Sequence, residues 1–255
     1  MNIQDNDYYI YLETGVDLSD PEFIRKFFSR WALEAARTAP QRWGRDDRLK
    51  QEIGDMSEFI SSWGRPVPAF GRNSNPPSYH QIDWPIGLSH QQRRFPGSFV
   101  SYLSRKTKKV DLEEFVDLLL ESFLPEYLVI TKWSDAEARH FLPVMRFAEG
   151  KLASYGQRFQ GGNISDYIPG IYWKTFFSED LAKNIGLTKL TSNDLYAICC
   201  NLYKHNNNYI IDFDCSIEDF SEDHWRPCER QIELILQKEI FFTSFYRRDL
   251  VKNIY

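Results

Sequence analysis

Long apolar runs are missing from this sequence. Nowhere do roughly 18 apolar residues follow one another, so no membrane-spanning helix is expected. The opening MNIQDNDYYIYLETG has no basic segment leading into an apolar one. We therefore expect no secretory signal and a cytoplasmic location. An excess of positive charge is missing too. The net charge is −5 and the pI about 5.6, which disfavours nucleic acid or an anionic membrane as partner and suits a basic protein.

Catalytic signatures are equally scarce. The histidines, His80, His90, His140, His205 and His224, show no zincin spacing, and Cys199, Cys200, Cys215 and Cys228 contain no C-x-x-C. Cys215, His224 and Cys228 form a loose trio, wider than metal ligands are normally spaced, and are read as structural. Without a secretory signal, reduced core thiols are expected, and adjacent Cys199 and Cys200 could not make an ordinary unstrained bridge to each other. Phosphate-cradling glycine loops and the G-x-S-x-G elbow are absent. We expect no enzyme activity, no cofactor and no metal.

Aromatic residues are abundant, at 16% of the chain. They suit a sizeable core and also a protein interface. The pattern along the chain is mixed. Residues 7–13 read as a strand, followed by a helix capped at Ser19 or Asp20 with Pro21 near its start and apolar Phe23, Phe27, Trp31 and Ala35 at helical spacing. The stripe Leu49, Ile53, Met56, Ile60 and Trp63 predicts a helix over 45–63, with Gly54 weakening it. Residues 65–97 carry six prolines and read as an irregular region, its short apolar pieces falling at sheet edges. Asp111 and Glu114 suggest a capping box opening a helix that Pro125 ends. Residues 127–133 read as a strand and Ser134 as the cap of a short helix through Leu142. Residues 146–152 fit strand or helix, and Gly161-Gly162-Asn163 a loop.

Further on, 170–177 alternates as a strand, then Ser178 caps a short helix stopped by Gly186. Residues 194–203 and 209–215 predict a hairpin around HNNN, and a final helix is expected across 227–242. The elements follow no strict βαβ rhythm. That predicts one α+β domain over 1–255, a largely antiparallel sheet covered by helices on one face.

Two charged clusters stand out. Arg93, Arg94, Arg105, Lys106, Lys108 and Lys109 flank a strand at 98–104 in which Phe99 and Tyr102 are interleaved. The overall negative charge favours a solvated strand edge over a nucleic-acid stripe. Asp212 and Asp214 would share one strand face, as a pair that could hold a divalent cation. Glu218, Asp219, Glu222 and Asp223 follow at once, and such crowding reads as an acidic surface, either solvated or facing a basic protein. Asp212, Asp214, Glu218, Asp219, Glu222 and Asp223, with Trp225 as an aromatic anchor, are the candidate partner-binding residues.

The stretch PGIYWKTFFSEDLAKNIG, through Gly170, Tyr172, Trp173, Leu181, Ile185 and Gly186, resembles type VI secretion immunity proteins, and among them immunity protein family 52. The resemblance implies a cytoplasmic antitoxin without enzymatic activity. It would bind a cognate effector, often a nuclease, by occluding its active site or blocking its assembly. It transfers no contact residue, because immunity surfaces diverge with their toxins. The competing reading from the residues is a metal-dependent phosphoesterase or nuclease using Asp212 and Asp214.

Overall fold

In the computed structural model, the described residues are 3–44, 49–54, 56–63, 69–83, 97–148, 151–159, 168–196 and 200–241. The architecture is α+β, a large antiparallel sheet with several helices. The chain divides into two compact units. One is Met1–Trp133 with Phe176–Ser178, and the other is Ser134–Thr175 with Glu179–Tyr255.

The first unit is built on β1 (Tyr8–Thr14), which pairs antiparallel with both β6 (Gly97–Leu103) and β7 (Tyr127–Lys132). Beyond β6 the sheet continues through β5 (Ser78–Asp83), β4 (Ala69–Arg72), β2 (Arg42–Gly44) and β3 (Gln51–Glu52). Two helices, α1 (Pro21–Glu34) and α3 (Lys109–Phe123), share one sheet face. Phe27 and Trp31 of α1 and Phe115 and Phe123 of α3 all have rings within 6.2 Å of Phe99 on β6. Aromatic side chains supply much of this core, and each buries a large area. The start of α1 follows its residue types: Asp20 Oδ1 accepts from the Glu22 N–H at 2.9 Å and Pro21 occupies the first turn.

Several expectations are corrected here. The helix across 45–63 shrinks to α2 (Met56–Ser61). Gln51–Glu52 pairs with β2 instead, and the Ile53 N–H donates to Gln41. Residues 45–48 lie outside the described set. Sheet hydrogen bonds outweigh the helical spacing there, and Gly54 makes the helix cheap to lose. The proline-rich region holds β4, β5 and the start of β6, while 64–68 and 84–96 lie outside the described residues. These strands are interior, not edges, and Pro76 and Pro77 fall in the connection between β4 and β5. The helix α3 begins at Lys109 with no side-chain cap, so Asp111 sits inside its first turn and makes no capping box.

The second unit starts at Ser134, the second residue of α4 (Trp133–His140). The helix runs directly into the hairpin of β8 (Phe141–Ala148) and β9 (Lys151–Phe159), a separate two-stranded sheet. The residues 161–163 expected as a loop lie outside the described set. Then come β10 (Lys174–Ser178), whose last three residues belong to the first unit, α5 (Glu179–Ile185) and a 3-10 turn at Leu187–Lys189. Gly186 has φ +88°, the left-handed stop its position called for.

Residues 192–196 form a short helix, α6 (Ser192–Tyr196), where a strand was expected. The Asp194 carboxylate accepts from the Thr191 N–H at 2.7 Å and hydroxyl at 2.8 Å, which starts a turn there. The predicted hairpin does form, from β11 (Cys200–His205) and β12 (Asn208–Phe213), around Asn206 at φ +52°. Last is α7 (Glu222–Leu236), which starts five residues earlier than the expected 227–242. The Ser221 N–H donates to His224 Nδ1 at 3.3 Å, and that local cap sets the start.

Candidate functional site

In the second unit, Gly170-Ile171-Tyr172-Trp173 is organised by a buried ion pair. Arg139 on α4 donates to Glu229 Oε1 on α7 at 2.6 Å and to the Ile171 carbonyl at 2.6 Å. The Ile171 N–H donates to the same carboxylate at 2.8 Å. The guanidinium lies over the rings of Tyr172, at 4.3 Å, and Trp225, at 3.9 Å. Both charged side chains are 5% exposed or less, so mutual pairing and stacking replace lost hydration. Gly170, at φ +155°, must be glycine. A Cβ would collide with the Arg139 guanidinium and lie 2.9 Å from Glu229 Oε1. Of the aromatic pair, Tyr172 is buried and Trp173 only half-buried, its indole N–H donating to the Cys215 carbonyl at 2.9 Å.

The acidic candidates lie between β12 and the first turn of α7. Asp212 is on the strand and is engaged: Lys174 Nζ is 3.1 Å from Oδ2, and the Tyr203 hydroxyl approaches at 3.4 Å. Burial and Asp212 together raise the Tyr203 hydroxyl. Asp214 lies beyond the end of β12 at Phe213 and is exposed. The expected pair on one strand face is therefore not formed. The strand stops one residue too soon.

Asp214, Glu218, Asp219, Glu222 and Asp223 instead stand exposed along the connection and helix start. This connection is fastened from beneath. Ile217 and Phe220 are buried, and the Phe220 ring packs 5.1 Å from Phe213. Asp219 accepts from the Ser216 hydroxyl at 2.8 Å, and Glu222 pairs with Arg226 one helical turn on. Glu222 and Asp223 also occupy the first turn of α7, where negative charge complements the helix dipole. Short polar turns between buried apolar anchors hold this ridge in one shape.

Trp225, the candidate aromatic anchor, lies inside the fold. It is 4% exposed, held under Arg139 with Arg226 at 5.6 Å, and it begins the buried stripe of α7 that continues through Cys228, Glu229 and Ile232. The Cys215–His224–Cys228 trio does not gather. Cys228 meets Cys200 instead, Sγ to Sγ 3.6 Å. The neighbouring Cys200 sulfur, then burial, pushes the Cys228 thiol well up. Among the described residues no three His, Cys, Asp or Glu side chains converge as a metal site would need. The basic flank of β6 is also dispersed: β6 lies inside the sheet, Lys109 pairs with Glu113 at 3.7 Å, and Arg93 and Arg94 lie outside the described residues.

The sequence reading missed Arg139 and Glu229 altogether. Ninety residues separate them, and only the Gly170-Ile171-Tyr172 stretch hinted that something packs closely there.

Comparison with known proteins adds little beyond this geometry. No protein-family model matches the chain, and no curated protein does. Among solved structures, it is similar to the Pseudomonas aeruginosa T6SS protein PA0821, at 14% identity and a TM-score of 0.47, over 92% of this chain and 73% of that one.

Proposed function

We propose that this protein is an immunity protein, an antitoxin that binds a cognate secreted toxin and neutralises it by occlusion. The toxin class that fits is a nuclease effector of a type VI secretion system. The observation that carries the reading is the acidic ridge Asp214–Asp223, exposed along a connection that Ile217 and Phe220 anchor from below. A nuclease must hold a polyanion, so its active-site cleft is basic. A fixed acidic ridge mimics the charge of that substrate and can cover the cleft. Preorganisation of the ridge lowers the ordering cost of binding. The resemblance of Gly170, Tyr172, Trp173, Leu181, Ile185 and Gly186 to immunity protein family 52 supports the same reading.

Asp212 belongs to the proposed surface through exchange of Lys174 for a cation of the partner. Trp225 supports it from beneath by fixing the first turn of α7.

The test pairs the chain with a secreted nuclease effector, sought first among the genes beside its own. Asp214→Lys, Glu218→Lys and Asp223→Lys together should leave the circular dichroism unchanged and weaken binding by at least about 100-fold. Cells carrying the triple variant should no longer survive the effector. Full protection by the variant would defeat the reading. So would Mg²⁺-dependent cutting of nucleic acid by the purified chain that Asp212→Ala or Asp214→Ala abolishes.

A further inference from the structure

We propose that Cys200 and Cys228 form a redox-responsive thiol pair whose disulfide would close a covalent loop around the whole acidic ridge. Cys200 opens β11 and Cys228 lies in α7, and both side chains are buried. Their sulfurs are already in contact at 3.6 Å, with the Cys228 thiol donating to Cys200. A disulfide needs about 2.05 Å, so the sulfurs must approach by about 1.5 Å. Asp212, Asp214, Glu218, Asp219, Glu222 and Asp223 all lie between the two cysteines in sequence. The bridge would tie the hairpin to the helix whose first turn completes the ridge.

The chemistry balances as thiol–disulfide exchange with a low-molecular-weight disulfide. One protein thiol loses its proton and attacks a sulfur of oxidised glutathione, releasing one reduced glutathione. The second thiolate then attacks the mixed disulfide at the protein sulfur and releases the other. The two cysteines are oxidised, the glutathione disulfide is reduced, and the two thiol protons pass to the leaving groups. Because both sulfurs are buried, the first attack waits on local opening of β11. That protects the reduced form against brief oxidation. The bridge itself needs no partner. Only the use of a locked ridge rests on the immunity reading.

The experiment treats the full chain with oxidised glutathione. The expected product is lighter by two hydrogens, and its non-reduced peptide map joins the Cys200 and Cys228 peptides. A Cys199→Ser/Cys215→Ser variant should still form it, and hydrogen exchange across 200–228 should slow in the oxidised form. Four alkylatable thiols after treatment, a bridge through Cys199 or Cys215, or unchanged exchange across the loop would each overturn the proposal. Loss of toxin binding would strike the immunity reading alone, since none of these readouts contains a toxin.

Discussion

Two buried titratable residues in the first unit pull stability in opposite directions. Glu13, 4% exposed on β1, accepts from the Tyr11 hydroxyl at 2.6 Å, and its other oxygen has no hydrogen-bond partner. Burial lifts its carboxyl from 4.5 to about 7. The Tyr11 hydrogen bond opposes the rise and nearby Glu126 adds to it. His80, fully buried against the rings of Trp31, Phe70 and Phe99, is pushed by burial from 6.5 to about 3. The folded state thus binds a proton on Glu13 that the unfolded state releases above pH 4.5. Stability from this group is full below 4.5 and is lost as pH rises through 7. For His80 the unfolded state binds the extra proton, so stability is present above 6.5 and is lost as pH falls toward 3. Glu13→Gln isolates the first effect. Denaturant unfolding should show the variant gaining on the parent by about 3 kcal/mol between pH 4.5 and about pH 8. A difference that does not change with pH would mean Glu13 titrates normally.

Among the elements, α4, the Gly170–Tyr172 segment and α7 are joined by one buried cation. Removing Arg139 strands the Glu229 carboxylate and leaves Tyr172 and Trp225 facing a void. Arg139→Met should cost about 3–5 kcal/mol in chemical denaturation. Arg139→Met with Glu229→Leu should recover part of that loss, because the Glu229 carboxylate is then gone and only Asp135, 3.7 Å from the Arg139 guanidinium, has lost a cation. Equal losses in the single and double variants would show that packing, and not charge, holds these elements. Boundaries here were legible wherever a residue's local chemistry dictates its backbone. Asp20 and Pro21 mark the start of α1, and Gly186 the stop after α5. They were illegible where pairing partners lie far away. Gln51–Glu52 becomes a strand only because Arg42–Gly44 offers it an edge, and α7 starts early because Ser221 and His224 cap each other.

Across the molecule, the net charge of −5 acts together with the ridge. Both would steer a basic partner from a distance, and salt screens that steering within about 10 Å at 0.1 M. If the proposed effector is the partner, its association rate should fall steeply as salt rises from low to high, while the dissociation rate changes less. Stopped-flow mixing measures both. An association rate indifferent to salt would rule out steering by the ridge.

By itself the sequence determined the α+β class, the hairpin at β11 and β12, the first and third helices, and the location of the acidic run. All of these follow from periodicity, turn chemistry and charge within a short window of chain. Only the tertiary structure decided that Asp212 and Asp214 part company, that Trp225 faces inward, and that Arg139 finds Glu229. The same holds for the meeting of Cys200 with Cys228. Each of these depends on which distant segment desolvates a side chain, and burial, pairing and pKa are set by that neighbour and not by the residues alongside in sequence.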